Sequence, residues 1–248
     1  MMTAVIPAAG KGTRFLPVTK AVPKEMLPIG AKPAIELIIE EARSAGADEI
    51  VLVISPEKEM VRHYFSDAPD VRFAYQTEQK GLGHAVLQAL PAMSEKARGG
   101  NVLVLLGDAL VFGCNASREM VDVSSRNGGA AVIGCERVPV ERISRYGILK
   151  ISNGGLVEDL VEKPSPEEAP SDIAIAGRYL LPSSIFDVLA SQTPGKGGEI
   201  QLTDAIRRLL PETAIGPYVY PGKRQDIGNP DGDYAALTAW RGIGGANA

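Results

Sequence analysis

Apolar positions in the first half of the chain follow two different spacings. Glu49–Ile54 and Val102–Leu106 contain apolar runs without polar alternation, as expected for strands that are buried on both faces. Between Pro33 and Gly46, by contrast, apolar residues recur at i, i+3, i+4 and i+7, which is typical of an amphipathic helix. This half of the chain therefore predicts strands and helices in alternation.

The alternation extends over about the first hundred residues. We predict strands at Ala4–Pro7, Glu49–Ile54, Val71–Tyr75 and Val102–Leu106, helices over 33–46, Ser55–Phe65 and His84–Leu90, and a loop over Gln76–Gly83. Strands that alternate with helices through short connections form a parallel sheet with helices on both faces. The predicted fold class is therefore α/β, with a doubly wound, mostly parallel sheet.

The second half has more strands and fewer helices. Its patterns predict strands at Ala130–Val138, Gly147–Ile151, Leu156–Val161, Ile173–Leu181 and Ala214–Tyr220, and helices at Ser184–Ser191, Leu202–Leu209 and Asp231–Trp240. We expect these strands to extend the sheet and to add a short β-ribbon that closes over a pocket. The Gly/Ala-rich tail over 242–248 is expected to fray.

Composition narrows the class of protein. With 248 residues, 45% hydrophobic and 23% charged, the chain suits a single α/β domain spanning 1–248. The apolar runs are too short for a transmembrane helix, and no signal peptide is recognisable at the start. A net charge of −4 argues against nucleic acid as the main partner. Because two cysteines, Cys114 and Cys135, suggest no disulfide framework, we expect a cytoplasmic protein. We also expect no membrane partner, since the apolar runs are short.

A glycine-rich stretch, Ala8-Ala-Gly-Lys-Gly-Thr-Arg14, directly follows the first predicted strand. Gly10 and Gly12 can adopt positive φ and bring backbone N–H groups close to a ligand. Residues 1–24 contain four basic residues and no acidic one, so the local field suits a polyphosphate. The stretch fits neither a Walker loop nor the G-x-G-x-x-G fingerprint. A basic, flexible surface loop is the alternative interpretation.

Further polar signals follow other predicted strands, where ligands of open α/β sheets bind. They are Gln76 to His84, Asp108, and Glu162-Lys163. Each has an ordinary alternative: Asp108 as a helix N-cap, Glu162-Lys163 as a solvated pair, and His84 as a helix start. Their coincidence at one edge of the sheet favours a ligand site.

The residue types at this edge suit phosphate chemistry. Arg14 and Lys24 could hold phosphates, and Asp108 and Asp226 are candidate ligands of Mg2+. The sequence has no Gly-x-Ser-x-Gly elbow and no Cys/His spacing typical of zinc. It therefore indicates direct phosphoryl-group transfer by positioning and electrostatics, without a covalent enzyme intermediate.

With these residues in hand, the chain resembles the sugar-1-phosphate nucleotidylyltransferases, and among them the bacterial UTP–glucose-1-phosphate uridylyltransferases. The resemblance runs from about Ala4 to Tyr234. It rests on eight motifs in the family's order: Ile6-Pro-Ala-Ala-Gly-Lys-Gly-Thr-Arg14, Pro23-Lys-Glu-Met-Leu-Pro28, Lys80-Gly-Leu-Gly-His-Ala-Val86, Tyr146-Gly147, Val161-Glu-Lys-Pro164, Gly177-Arg-Tyr179, Gly198-Glu-Ile-Gln-Leu-Thr-Asp204 and Asp226-Ile-Gly228.

The resemblance implies a Rossmann-like nucleotidyltransferase fold and a role for each matching residue. About 1–125 would mainly bind the nucleotide and about 126–230 the sugar phosphate, with a C-terminal helix and tail over 231–248. The implied roles are nucleotide contacts by Ala8, Ala9 and Gly10, a triphosphate cradle of Gly12, Thr13 and Arg14, phosphate binding by Lys24, uracil pairing by Gln76 with Gly81, Mg2+ binding by Asp108 and Asp226, glucose binding by Glu162 with Gly147 and Gly177, and sugar-phosphate binding by Lys163.

The implied reaction is in-line attack by glucose 1-phosphate on the α-phosphorus of UTP, assisted by Mg2+, giving UDP-glucose and pyrophosphate. The resemblance also implies a homo-oligomer, a dimer or tetramer. Three features depart from the family pattern: a short segment between His63 and Gln76, an early end after Trp240, and Leu106-Gly-Asp108 where Leu-Pro-Asp is expected. Another base or sugar, such as dTTP, and a non-catalytic nucleotide-sugar sensor are the alternatives.

Overall fold

The structure is a computed structural model that describes residues 1–242, without the side chain of Lys196. Most of the predicted frayed tail over 242–248 therefore lies outside the described residues. The strands are β1 Met2–Pro7, β2 Pro28–Ile29, β3 Lys32–Pro33, β4 Glu49–Ile54, β5 Val71–Tyr75, β6 Asn101–Leu105, β7 Ala109–Phe112, β8 Ala131–Arg137, β9 Gly147–Ile151, β10 Val157–Glu162, β11 Ile173–Pro182, β12 Ile215–Val219 and β13 Lys223–Asp226. The α-helices are α1 Ala34–Ser44, α2 Glu59–Tyr64, α3 Leu82–Gln88, α4 Ala116–Arg126, α5 Ile185–Ala190, α6 Leu202–Leu209 and α7 Pro230–Gly242.

One large sheet joins both halves of the chain. Strands β6, β1, β4 and β5 pair in parallel in that order, and β11 continues the sheet antiparallel to β6. Beyond it, β8 pairs with β11 and β12, while β9 and β10 form an antiparallel ribbon at the edge. The predicted fold class is confirmed, and antiparallel pairing is concentrated in the second half.

The two largest apolar clusters of the described residues lie on opposite faces of this sheet. Within β4, Val51 and Val53 belong to the cluster that packs against α3, α5 and α6. The alternating residues Ile50, Leu52 and Ile54 belong to the cluster around α1. Both sets are buried because helices cover both faces, which explains why the strand shows no polar alternation. The loops after the carboxyl ends of the parallel strands carry predicted site residues, and α3 also reaches this edge through Leu82 and Ala85.

Among the elements that were not predicted are the short β2–β3 pair, helix α4 and the antiparallel pair β7–β13. Helix α4 was missed because its buried face includes Ser117 and Ser124 rather than an apolar stripe; Asn115 caps it by accepting a bond of 2.9 Å from the amide of Arg118. The antiparallel pair β7–β13 was missed because the sequence of β13, Lys223-Arg-Gln-Asp, is entirely polar. This pair forms part of the site described below.

Several predicted boundaries need correction. Helix α2 begins at Glu59 rather than at Ser55, and α3 begins at Leu82 rather than at His84. The loop after β5 is therefore shorter than predicted. Within the described residues, no helix is both long and apolar enough to cross a membrane.

Candidate active site

Three neighbouring clefts lie at the carboxyl ends of the parallel strands, and the first of them shares lining residues with each of the other two. The first, here called the Gln76 cleft, has a volume of about 330 Å3, and its lining includes the predicted residues Ala9, Gly10, Gln76, Gly81 and Asp108. The second, the Glu162 cleft, has a volume of about 300 Å3, and its lining includes the predicted residues Arg14, Asp108, Gly147, Glu162, Lys163, Gly177 and Asp226. Asp108 lines both clefts and thus lies at their junction.

A third cleft, here called the lysine cleft, lies on the other side of the glycine-rich loop. Its volume is about 390 Å3, and Lys24 lines it together with Gly10. Of the predicted residues, Ala8, Gly12 and Thr13 line none of these three clefts. The structure thus brings most of the predicted residues to the clefts at one edge of the sheet, but not these three.

The two glycines of the loop differ in why they are needed. Gly12 has a φ of 65°, in the left-handed region, and its carbonyl accepts a bond of 2.9 Å from Thr19 Oγ1. Gly10 is not left-handed, and a Cβ added there would meet nothing within 4 Å. Of these two glycines, both of which can adopt positive φ, only Gly12 does so.

A buried ion pair that sequence reasoning missed lies beneath the loop. Lys58 Nζ donates to the carbonyl oxygen of Ala8 at 2.5 Å and to Glu25 Oε2 at 2.7 Å, and both charged side chains are buried. Burial lowers the pKa of Lys58, and the negative charge of Glu25 only partly opposes this. The pair connects the end of β1 to the segment that carries Lys24. Glu25 lies in the Pro23-Lys-Glu-Met motif, but nothing in the sequence indicates that it pairs with Lys58.

Two aspartates converge at the junction of the clefts. Asp108 directly precedes β7 and Asp226 ends β13, so the pairing of these strands places the aspartates side by side, with the amide of Ile227 donating to the Asp108 carbonyl at 2.8 Å. A Cβ added at Gly228 would lie 2.9 Å from Asp226 Oδ1, 3.3 Å from Asp108 Oδ2 and 3.6 Å from Arg14 Nη1. The space above Gly228 is therefore bounded by two carboxylates and a guanidinium.

This donor set fits a magnesium-type cation. Mg2+ is commonly held by one or two carboxylates, with phosphates and waters completing its shell. Within the described residues, no group of three or more His, Cys, Asp or Glu side chains forms a richer metal site. The two aspartates alone would thus hold such an ion together with a bound phosphate.

Lys24 keeps Asp108 charged. Lys24 Nζ lies 2.7 Å from Asp108 Oδ2, and Lys24 is only 9% exposed. Burial raises the pKa of Asp108, but the charge and hydrogen bond of Lys24 outweigh it and hold the pKa below its usual range. The carboxylate is therefore ionised at neutral pH, as a metal ligand must be.

The Glu162 cleft has its polar groups at the base of the β9–β10 ribbon. Glu162 Oε2 accepts a bond of 2.6 Å from Thr203 Oγ1, and Glu162 Oε1 lies 3.3 Å from Lys163 Nζ. Lys163 has a φ of 47°, in the left-handed region, which is uncommon for a residue with a side chain. Gly147 pairs with Glu162 across the ribbon. The ribbon thus presents a carboxylate and an ammonium group to one cleft.

A fully buried arginine, Arg178, holds the backbone next to Asp108 and at Gly177. Arg178 forms two bonds to Glu41, of 2.9 and 2.7 Å, and donates to the carbonyl oxygens of Ala109 at 2.7 Å and Gly177 at 3.0 Å. It thereby fixes the residue after Asp108 and the left-handed Gly177. The sequence contains this arginine in the Gly177-Arg-Tyr179 motif, but nothing there indicates that it is buried.

The Gln76 cleft has an amide at its floor. Gln76 is 3% exposed, and its Nε2 lies 3.1 Å from the carbonyl oxygen of Gly81 and 3.0 Å from Nδ1 of His84. A Cβ added at Gly81 would lie 2.8 Å from that of Glu199, so glycine lets the segment after Gly198 close this side of the cleft.

The family model described as "Nucleotidyl transferase" matches residues 3–241 of the chain. The chain belongs to this nucleotidyl transferase family. It is 42% identical to the UTP–glucose-1-phosphate uridylyltransferase YngB of Bacillus subtilis over 265 residues, covering 95% of this chain and 88% of that protein. It is 39% identical to the UTP–glucose-1-phosphate uridylyltransferase 2 of Staphylococcus saprophyticus, covering 91% of this chain and 86% of that protein.

Solved structures of this transferase family agree with the fold. A UDP-glucose pyrophosphorylase in complex with UDP-glucose is 33% identical, with a TM-score of 0.88 over 98% of this chain and 99% of that one. A UTP-bound enzyme of Acinetobacter baumannii is 32% identical, with a TM-score of 0.81 over 97% and 93%. The predicted resemblance to the uridylyltransferases is confirmed. Transferases of this family generally use a divalent metal ion.

The structure accounts for one departure from the family pattern. Gly107 donates its N–H to the carbonyl oxygen of Pro7 at 3.1 Å, and a Cβ there would lie 2.7 Å from the same oxygen. A proline at this position would lose the bond because it has no N–H. In this nucleotidyl transferase, glycine therefore lets the segment before Asp108 pack against the end of β1.

Proposed function

We propose that the chain transfers a uridylyl group from UTP to α-D-glucose 1-phosphate, giving UDP-glucose and pyrophosphate. The observation that carries the proposal is the position of Asp108, which lines both the Gln76 cleft and the Glu162 cleft and lies beside Asp226. A nucleotide in one cleft and a sugar phosphate in the other would meet at these carboxylates. The names of the two uridylyltransferases described above support the choice of substrates.

The residues around the junction would divide the work of binding. Arg14 and Lys24 would hold the triphosphate, because Arg14 Nη1 and Lys24 Nζ both lie near the Asp108 carboxylate and supply the cationic field. The backbone of the glycine-rich loop would contact the nucleotide. Asp108 and Asp226 would hold Mg2+, which when bound supplies positive charge to the phosphate oxygens.

The sugar phosphate would lie in the Glu162 cleft. Glu162 would accept hydrogen bonds from glucose hydroxyls beside Gly147 and Gly177, and Lys163 would bind the phosphate. An oxygen of glucose 1-phosphate attacks the α-phosphorus of UTP, the bond to the β-phosphate oxygen breaks, and pyrophosphate leaves. The attacking phosphate is already an anion at neutral pH, so the reaction needs no general base. Positioning and electrostatic stabilisation are then the main contributions of the protein.

The test is pyrophosphate release across a grid of UTP, dTTP, CTP, ATP and GTP against glucose 1-phosphate and related sugar phosphates, with and without Mg2+. We expect release with UTP and glucose 1-phosphate, lost on adding a chelator and restored by excess Mg2+. Release only with another pair would retain the mechanism and change the assigned substrates. No release from a folded, metal-supplied protein would contradict the proposal. The homo-oligomer and the cytoplasmic location stay predictions.

A further inference from the structure

The side chain of Gln76 is held in one orientation by two neighbours. Its Nε2 lies 3.1 Å from the carbonyl oxygen of Gly81, which can only accept a hydrogen bond, so the nitrogen end of the amide must face that oxygen. The second hydrogen of the same nitrogen points toward His84 Nδ1 at 3.0 Å. Both hydrogens of the amide are thereby used within the protein.

His84 completes this arrangement only in one protonation state. To accept from Gln76, Nδ1 must carry the lone pair, which leaves the proton on Nε2. Burial lowers the pKa of His84, the charge of Lys80 lowers it further, and Glu78 opposes them, so the ring is neutral at pH 7. Gln88 Nε2, one turn later on α3, lies 3.3 Å from His84 Nε2; with the nitrogen and oxygen of its amide exchanged, Gln88 accepts that proton.

The arrangement leaves the oxygen of Gln76 for a ligand. Within the described residues, no group donates to Gln76 Oε1, although Gln76 lines the cleft. A lone carbonyl oxygen at this position accepts a hydrogen bond and cannot donate one. At the N3 position, uracil and thymine carry a hydrogen, whereas cytosine carries a lone pair that an amide oxygen repels.

We infer that His84 is a positioning residue that locks the Gln76 amide with its oxygen toward the base, so that the site accepts uracil-type bases and rejects cytosine. The inference rests on the proposed function, because it takes Gln76 as the residue that reads the base. A site built to pair with one hydrogen-bonding edge rejects analogues that leave its polar groups unpaired. Without His84, the amide is held only by Gly81 and can turn its nitrogen toward cytosine N3 more often.

The test compares two variants at position 84. His84→Leu removes the Nδ1 acceptor at similar size, and His84→Asn keeps an acceptor close to the same place. We measure kcat/KM for UTP and for CTP with glucose 1-phosphate, and the binding of each nucleotide without the sugar phosphate. In His84→Leu the preference for UTP over CTP should fall by about threefold to tenfold, the effect of one neutral hydrogen bond. In His84→Asn most of the preference should remain.

Two further variants make the outcomes distinguishable. Gln88→Leu removes the partner of His84 Nε2 without touching Gln76, and it should reduce the preference in the same direction by a smaller factor; it also serves if His84→Leu fails to fold. Gln76→Ala should lower the preference for UTP over CTP whether or not His84 positions the Gln76 amide. If Gln76→Ala lowers the preference but His84→Leu and Gln88→Leu leave it unchanged, the inference about His84 is wrong. If Gln76→Ala leaves it unchanged, the proposed reading of the base by Gln76 is wrong.

Discussion

A methyl group at position 228 tests whether the space between the two aspartates is the metal site. Gly228 is not in the left-handed region, so alanine fits its backbone. The new Cβ would lie 2.9 Å from Asp226 Oδ1, closer than such contacts occur, and 3.3 Å from Asp108 Oδ2. Asp226 Oδ1 also accepts the Gly228 amide at 2.8 Å, so the carboxylate must move and that bond must weaken.

The expected magnitudes separate function from stability. Weakening one partly buried hydrogen bond costs roughly 1 kcal/mol, which lowers the melting temperature of a chain this long by about 2–4 °C. Displacing a group of the reaction centre by several tenths of an ångström to 1 Å costs roughly tenfold to a hundredfold in turnover. We therefore expect Gly228→Ala to lose at least about tenfold in activity while it remains folded.

The assay is pyrophosphate release at saturating UTP and glucose 1-phosphate across a Mg2+ titration, with thermal unfolding measured in parallel. Gly99→Ala is the matched control, because a Cβ there meets nothing within 4 Å. The Mg2+ concentration for half-maximal activity should rise in Gly228→Ala and stay constant in Gly99→Ala. Full activity with an unchanged Mg2+ dependence in Gly228→Ala would refute the assignment of the metal to Asp108 and Asp226.

Three further predictions concern charged side chains. Lys163→Ala should lose on the order of 100-fold in turnover, while its melting temperature stays within about 2 °C of the wild type. Full activity would contradict the assignment of Lys163 to the sugar-phosphate site. Arg178→Met leaves Glu41 buried without its partner and should lower the free energy of unfolding, measured with urea, by about 3–5 kcal/mol. The double variant Arg178→Met, Glu41→Leu should recover most of that free energy. Burial raises the pKa of Glu41, but Arg178 outweighs it and holds the pKa below the ordinary 4.5. The stability difference between the wild type and Glu41→Gln should therefore be constant above about pH 4.5 and shrink as the pH falls through the folded-state pKa; a difference that grows on acidification would contradict it.

The parts of the fold that were predictable are those fixed by local pattern. Strands β4 and β6 were recognisable because apolar residues fill both of their faces, and α1 because its buried residues recur at helical spacing. Helix α4 was not recognisable, because serines occupy part of its buried face and a pattern of apolar and polar residues counts a buried serine as a surface residue. The rule that ligands bind at the carboxyl ends of parallel strands then placed the polar signals at one edge.

The parts of the site that were not predictable depend on contacts between distant segments. Asp226 was a candidate metal ligand in the sequence, but the pairing that brings it beside Asp108 was not predictable, because the polar sequence of β13 has no recognisable strand pattern and the strand is defined only by pairing with β7. Lys58 is likewise a charged residue that the sequence presents as surface, although it is buried against Glu25. A single sequence holds no information on which distant charge will neutralise another, so buried pairs of this kind are invisible to pattern analysis.

The ion pairs Lys58–Glu25 and Arg178–Glu41 both lie next to backbone of the site, a placement that stability alone does not explain. Removing two charges from water is costly, and apolar replacements of similar volume are often as stable or more stable. Yet Lys58 with Glu25 holds the Ala8 carbonyl below the glycine-rich loop, and Arg178 holds the Ala109 carbonyl next to Asp108. Each pair thus fixes backbone at one side of the cleft junction, with donors that an apolar core could not supply. Their placement is better explained by precise positioning of the loops than by a contribution to folding.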